Sequence, residues 1–140
     1  MRFMMIMFPN SAAAEAGVLP DEAALAAMGR YNEELVRAGV LLGGDGLHPS
    51  SRGARVRFAG GKAVATDGPF AEAKEVIGGY WMIQVRSKEE AVQWALRAPC
   101  SGDEMIEVRQ VFELSDFEMG PESKATFDRI QDELGVRGTS

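Results

Sequence analysis

Two short apolar runs restrict what this sequence can fold into more than any other feature. Residues 2–8 (RFMMIMF) and 76–85 (VIGGYWMIQV) are almost continuously apolar. Both are much shorter than the roughly 20 residues that a membrane-spanning helix needs, and the first is also too short for a signal peptide. Strands that stay apolar on consecutive residues are typical of a sheet buried on both faces. The sequence therefore predicts a central sheet that needs cover on both sides.

Helical periodicity identifies the elements that cover one face of this sheet. Apolar residues recur at helical spacing between residues 21 and 38, and Gly39 follows as a typical left-handed C-terminal cap. Residues 87–90 (SKEE) have the form of a capping box and predict a second helix that runs to Ala98, where a proline stops it. Residues 11–20, before the first helix, are rich in small residues and predict a loop.

Further strands precede and follow these helices. Residues 40–42 open a strand, and residues 105–114 (MIEVRQVFEL) alternate and predict the last one. Residues 55–58 and 62–65 flank a Gly-Gly pair, which predicts a hairpin at the edge of the sheet. The glycines at 43–46 do not form a phosphate-binding loop, because no Lys-Ser or Lys-Thr follows them.

The order of these elements is strand, helix, strand, hairpin, strand, helix, strand. It predicts an α+β fold, a ferredoxin-like βαββαβ sandwich over residues 1–114 with the hairpin as an extra edge element. Residues 115–140 form a C-terminal extension with one helix at 121–134, not a separate domain. The apolar stripe of that helix is Phe127, Ile130 and Leu134. Two helices cover one sheet face, and a second copy is the simplest cover for the other. We therefore expect a homodimer whose two sheets form a dimeric α/β barrel.

Composition argues against several classes of partner. The chain has 140 residues and a formal net charge of −6, which argues against nucleic acid and against an anionic membrane surface. Cys100 is the only cysteine, so no internal disulfide can form and a cytoplasmic location fits. One histidine and one cysteine are too few for a typical zinc site, and no cofactor fingerprint is present. We expect neither a metal nor a cofactor.

A rigid turn separates the hairpin from the second apolar run. Asp67 precedes Gly68, Pro69 and Phe70, and the proline restricts its own backbone and that of the glycine before it. The Asp67 carboxylate would either cap the turn through a backbone hydrogen bond, as Asp before Gly commonly does, or present its charge beside the Phe70 ring to a small molecule. Residue chemistry alone favours the cap.

His48, the only histidine, is the second candidate for chemistry. Imidazole titrates near neutrality, and Asp67 would orient the His48 ring for proton transfer if their two strand ends meet. We expect the two to act as a catalytic pair. Phe70 would form an apolar wall, and Lys74 and Asp45 would bind substrate. Lys74 and Arg55 would hold an anionic substrate, with solvated surface charges as the alternative for both. Scattered surface carboxylates are commoner than an oxygen-ligand metal site, for which the candidates are Asp45, Asp67, Glu72 and Glu75.

Three motifs resemble those of the YCII-related family, in the branch called the DGPF-domain proteins. They are residues 66–75 (TDGPFAEAKE), 78–81 (GGYW) and 44–49 (GDGLHP), and the first is highly specific. The resemblance covers about residues 1–112. It implies the ferredoxin-like dimer, in a family whose biochemical role is not established. A His and an Asp typical of the family, which match the two candidates above, imply an enzyme. Some DGPF relatives occur fused to, or beside, sigma-factor domains, which implies a regulatory role.

The sequence therefore leaves two functions open. The first is a small cofactor-independent enzyme that uses the His-Asp pair on a small organic acid or aromatic substrate. The second is a non-catalytic ligand-binding or regulatory module, whose partner is linked to transcription control by sigma factors. A homodimer with a small-molecule ligand is expected in either case.

Overall fold

A computed structural model describes residues 1–70 and 76–139 and gives a mixed α+β protein. Its helices and strands are, in chain order, β1 (Arg2–Phe8), α1 (Ala12–Glu15), α2 (Glu22–Arg37), β2 (Leu41–Gly46), β3 (Ala54–Ala59), β4 (Lys62–Asp67), β5 (Gly79–Gln84), α3 (Lys88–Leu96), β6 (Met105–Gln110) and α4 (Pro121–Thr139). Short 3-10 turns lie at Ser50–Arg52 and Leu114–Asp116.

The main sheet is antiparallel, with strand order β2-β5-β1-β6. Met5 in β1 lies opposite Trp81 of β5 on one side and opposite Val108 of β6 on the other. Buried side chains from β1, β5, α2 and α3 and from the segments beside them form the hydrophobic core: Phe3, Met5, Tyr31, Leu35, Val40, Trp81, Ile83, Val85 and Ala91. The arrangement is consistent with the predicted ferredoxin-like α+β fold.

The opposite face of the sheet is more exposed. Alternation along β1 places Met4 and Ile6 on this face, and the register adds Met82 of β5. These side chains are only partly buried, whereas Phe3 and Met5 on the core face are 1% and 0% exposed. The apolar run of β1 thus serves two different faces. We call the second one the open face: Arg2, Met4, Ile6, Asp45, Tyr80, Met82, Glu107 and Arg109.

The two main helices begin where their capping residues predict. The Asp21 side chain accepts a hydrogen bond from the backbone of Ala24 at 2.8 Å, and α2 follows it. Gly39 has a φ of +72° after the end of α2, as the expected left-handed cap requires. Ser87 accepts a hydrogen bond from the backbone of Glu90 at 3.1 Å and begins α3.

Some boundaries differ from expectation. A short helix, α1, lies within the predicted loop because the Ser11 hydroxyl accepts a hydrogen bond from Ala14 N and caps a helical turn. The last strand ends at Gln110 rather than at residue 114. α4 continues past residue 134, since Gly135 does not take the positive φ of a C-terminal cap.

The predicted hairpin forms, but it does not extend the main sheet. β3 and β4 pair only with each other among the described strands, and Ala54 lies opposite Asp67 at the open end of the hairpin. Gly60 and Gly61 at its tip have φ of +57° and +76°, as a tight turn of this length requires. The hairpin therefore delivers Asp67 to the point where β4 ends.

The appended helix α4 keeps its apolar stripe exposed. Phe127, Ile130 and Leu134 are 42%, 44% and 56% exposed, so the stripe is not buried on its own domain. Among the described residues, no helix combines the length and the apolar character that crossing a bilayer would require.

Candidate functional site

Hydrogen bonds to residues outside the turn hold the backbone of residues 67–70 in place. The Gly68 amide donates to Gly53 O at 2.9 Å, and the Phe70 amide donates to the Ser50 hydroxyl at 3.0 Å. Pro69, joined to Gly68 by a cis peptide bond, has no amide hydrogen. The residues that follow Asp67 in the turn thus have no free backbone donor left for its carboxylate.

The Asp67 side chain therefore does not act as the expected cap within this turn. Among the described residues, its carboxylate takes part in no hydrogen bond and no ion pair, and the side chain is exposed. A cap needs a backbone N–H at the second or third position after the acid. Pro69 lacks that hydrogen, and Ser50 occupies that of Phe70. The turn is rigid without using the Asp67 carboxylate.

Ser50 connects three separate segments of the chain. It is 6% exposed, and its amide and its hydroxyl both donate to the Glu15 carboxylate of α1, the amide at 2.9 Å. The same hydroxyl accepts the hydrogen bond from Phe70. A Cβ on Gly68 would stand 1.8 Å from Ser50 O, so only glycine allows this approach. Ser50 therefore ties α1, the loop after β2 and the 67–70 turn together.

Glu15 anchors this connection with a charge. The two hydrogen bonds from Ser50 stabilise its carboxylate form and lower the pKa of Glu15 below its ordinary value of 4.5. Sequence reasoning missed both Glu15 and Ser50. The available signal was weak: Glu15 is the single charged residue within an alanine-rich stretch. A lone charge among small residues is a reason to look for a specific partner.

His48 lies two residues before Ser50, and its ring contacts Arg52. Its Nε2 and Nδ1 lie 3.2 and 3.4 Å from the Nη1 atom of Arg52, and both side chains are exposed. No hydrogen bond or ion pair within the described residues joins His48 to Asp67. The structure places the two on neighbouring segments, which Ser50 and Gly68 hold in contact.

Phe70 forms part of a half-buried surface beside the turn. The guanidinium carbon of Arg55, in β3, lies 3.8 Å from the centre of the Phe70 ring, which is a cation–π contact. One face of the ring is thus already occupied by an arginine. Lys74, the expected substrate-binding residue four positions later, lies outside the described residues.

Asp45 lies at the end of β2, on the open face. The Tyr80 hydroxyl of β5 donates to Asp45 Oδ2 at 3.1 Å, and this hydrogen bond raises the pKa of Tyr80 above 10.0. The backbones of β2 and β5 approach each other closely at this point. Cβ atoms added to Gly44 and Gly79 would stand 2.7 and 3.1 Å from the opposite backbone, which leaves room only for glycine or a small shift. Sequence reasoning found Asp45 but not Tyr80 as its partner.

A metal site and the Cys100 thiol were the other candidate chemistries. In the described part of the chain, no group of at least three His, Cys, Asp or Glu side chains is arranged to hold a metal ion. Burial raises the pKa of the Cys100 thiol, and Glu104 adds to the effect. A raised pKa leaves less of the reactive thiolate at neutral pH.

Comparison with known proteins gives a relative and a family profile. An uncharacterised protein of Rhizobium meliloti (strain 1021) is 33% identical over 75 residues, which cover 54% of this chain. The matched region spans 60% of that protein's length. The family profile described as the YCII-related domain matches residues 1–115, which include the turn, Ser50, His48 and the whole sheet. The chain belongs to the YCII-related family.

Proposed function

We propose that this chain, as a member of the DGPF branch of its family, binds a small organic acid or aromatic molecule and moves a proton on it with His48 and Asp67. The observation that carries the proposal is the hydrogen bonding of the turn. Ser50 and Gly53 supply its partners, so the backbone beside Asp67 is held in place, while the described residues leave the Asp67 carboxylate unused. A carboxylate on a fixed backbone, without a structural task, is available for chemistry.

The same contacts support a shared site for His48 and Asp67. His48 is two residues from Ser50, and Asp67 is next to Gly68, whose Cα lies against Ser50 O. Because consecutive Cα atoms are about 3.8 Å apart, only a few such steps separate the two side chains. A small molecule at this junction would reach both.

Charges around the junction favour an anionic or aromatic ligand. Arg52 lies beside the His48 ring, and Arg55 lies over Phe70. A guanidinium binds a carboxylate through paired hydrogen bonds. In the proposed reaction Arg52 first leaves the ring and holds the substrate carboxylate. The His48 imidazole then accepts a proton from a substrate C–H or O–H group, Asp67 stabilises the resulting imidazolium, and the proton returns to another atom of the substrate.

The proposal includes a homodimer in which the open faces of two sheets pack together. Partly buried apolar side chains on that face support it, since they gain burial from a second copy. Light scattering should then give a mass of twice 15.1 kDa. Met82→Lys on the open face should shift the mass to that of the monomer, while Val92→Lys on the exposed side of α3 should not. A wild-type mass of 15.1 kDa at micromolar concentration would exclude the dimer.

Ligand binding tests the function itself. A set of small carboxylic acids and aromatic fragments, titrated into ¹⁵N-labelled protein, should shift amide signals near residues 48–55 and 67–70. His48→Gln should weaken the response, whereas Ser51→Ala should keep it. Fragments that bind without any turnover in either form would favour the non-catalytic ligand-binding or regulatory module. Shifts confined to other regions would exclude a site at this junction.

A further inference from the structure

We propose that the Asp45–Tyr80 pair on the open face binds the N–H-donating cation of a ligand, an ammonium or guanidinium group, whose apolar body lies along the sheet. The inference goes beyond the proposed function, which concerns the junction at His48, and rests on it only for the second copy that covers the open face. It adds a second polar site, whose charge is opposite to that of the arginine-flanked junction at His48. Its evidence is the hydrogen bonding of the pair, the charges around it and the shape of the sheet beside it.

The Asp45–Tyr80 pair can accept further hydrogen bonds but has no proton left to donate. A phenol has one proton, and Tyr80 donates it to Asp45 Oδ2 at 3.1 Å. What remains are the lone pairs of the Tyr80 oxygen and the Oδ1 atom of Asp45, which has no partner among the described residues. All of these are acceptors, and Asp45 carries a charge. The complementary group is a cation with N–H donors.

Neighbouring charges on the open face are already paired, but Asp45 is not. Arg2 forms a two-pronged ion pair with Glu113 at 2.8 and 3.1 Å, and Arg109 contacts Glu107 at 3.3 Å. Asp45 has no cation within 4.0 Å among the described residues, only the neutral Tyr80. When a second copy covers the face, this carboxylate loses water, and an unpaired charge without water is unfavourable. A bound cation would pair with the Asp45 carboxylate and remove this unfavourable term.

The sheet beside the pair offers space and an apolar floor. Gly43 lies two residues before Asp45 on the same face, opposite Met82, and no atom lies within 4 Å of the point where its Cβ would stand. In the next row of the sheet, Ile6 lies opposite Tyr80. Ile6 and Met82 are both partly buried. A ligand body of a few carbons therefore fits over Gly43, with its cationic end at Asp45.

Benzylamine is the probe, with benzyl alcohol and benzoate as matched neutral and anionic controls. Titrated into the ¹⁵N-labelled full chain, benzylamine should shift the amide signals of Asp45 and Tyr80 saturably, and benzoate should not. Asp45→Asn should weaken benzylamine binding about tenfold or more, because it removes a charge-assisted hydrogen bond. Tyr80→Phe should weaken it less, and Asp132→Asn on α4 should have no effect.

The pKa of Tyr80 provides a second measurement of the pair that needs no ligand. Asp45→Asn should bring the pKa of Tyr80 down towards 10.0, as followed by ultraviolet absorbance, while burial keeps that of Tyr31 at about 12. Benzoate that shifts the Asp45 and Tyr80 signals as benzylamine does, or an Asp45→Asn protein that binds benzylamine normally, would overturn the inference. Benzoate shifts confined to the His48 junction belong to the proposed function and leave the inference standing.

The outcome for the dimer is separable from the outcome for this pair. A monomeric chain that still binds benzylamine through Asp45 would remove the dimer and leave the cation site standing. A dimer that ignores benzylamine but dissociates in Asp45→Asn would show that a cation of the second copy fills the site, and the ligand inference would fail.

Discussion

Replacing Gly68 by alanine should lower the free energy of unfolding by about 3 kcal/mol, the upper part of the range for overpacked positions. The new Cβ would stand 1.8 Å from Ser50 O and 2.6 Å from Ser50 C. Both are backbone atoms, so no side chain can rotate away to make room. Either the 67–70 turn or the loop at Ser50 must move. Chemical denaturation of the two proteins measures the difference.

Gly53→Ala is the matched control for this substitution. Its Cβ would stand 3.6 Å from the same atom, Ser50 O, which is an ordinary contact, and its φ of −130° suits any residue. We expect a change within about 0.5 kcal/mol. A Gly68→Ala protein as stable as the Gly53→Ala protein would show that Gly68 and Ser50 do not approach each other in this way.

Removing the Ser50 hydroxyl should cost about 2 kcal/mol, because one buried oxygen makes two hydrogen bonds, one of them to a carboxylate. In Ser50→Ala the Phe70 amide loses its acceptor and Glu15 loses one of its two donors. Hydrogen exchange at the Phe70 amide should become faster. Ser51→Ala, at the exposed neighbouring position, should change neither quantity. Unchanged exchange at Phe70 in Ser50→Ala would contradict the assigned hydrogen bond.

The lowered pKa of Glu15 adds a pH dependence with a definite sign. Because the folded state holds this carboxylate charged more strongly than the unfolded state does, its contribution to stability is complete above 4.5 and is lost as the pH falls through the lowered pKa. Glu15→Gln should remove that part of the acid sensitivity. Unfolding curves of both proteins, measured from neutral pH downwards, should therefore converge in acid.

Local signals were sufficient to predict most of the fold. α2 and α3 begin after Asp21 and Ser87 because these side chains cap the first turn, which depends only on residues up to three positions away. The hairpin follows in the same way from Gly60 and Gly61. The ends of β6 and α4 differ from expectation. No proline or turn residue marks the end of β6 in the sequence, and Gly135, a residue typical of a C-terminal cap, lies inside α4 instead.

The candidate site depends on contacts that sequence patterns do not carry. Asp67, Phe70 and His48 could be named because each lies within two residues of a proline. Ser50 and Glu15 could not, since their hydrogen bonds join positions 20 and 35 residues apart without any periodicity. The sequence also predicted that the Asp67 carboxylate would cap the turn through a local hydrogen bond. Only the fold shows that Ser50 supplies the bond to Phe70 that such a cap would make.

The most direct measurement of whether His48 and Asp67 serve one site uses the imidazole signals of the only histidine. In a ¹H–¹³C spectrum, Asp67→Asn should move the His48 signals and change their response to a bound carboxylic-acid fragment, because a nearby charge is removed without a change of shape. Asp132→Asn, which removes an exposed carboxylate from α4, should leave both unchanged. A folded Asp67→Asn protein with the wild-type His48 signals and the wild-type fragment response would contradict a shared site.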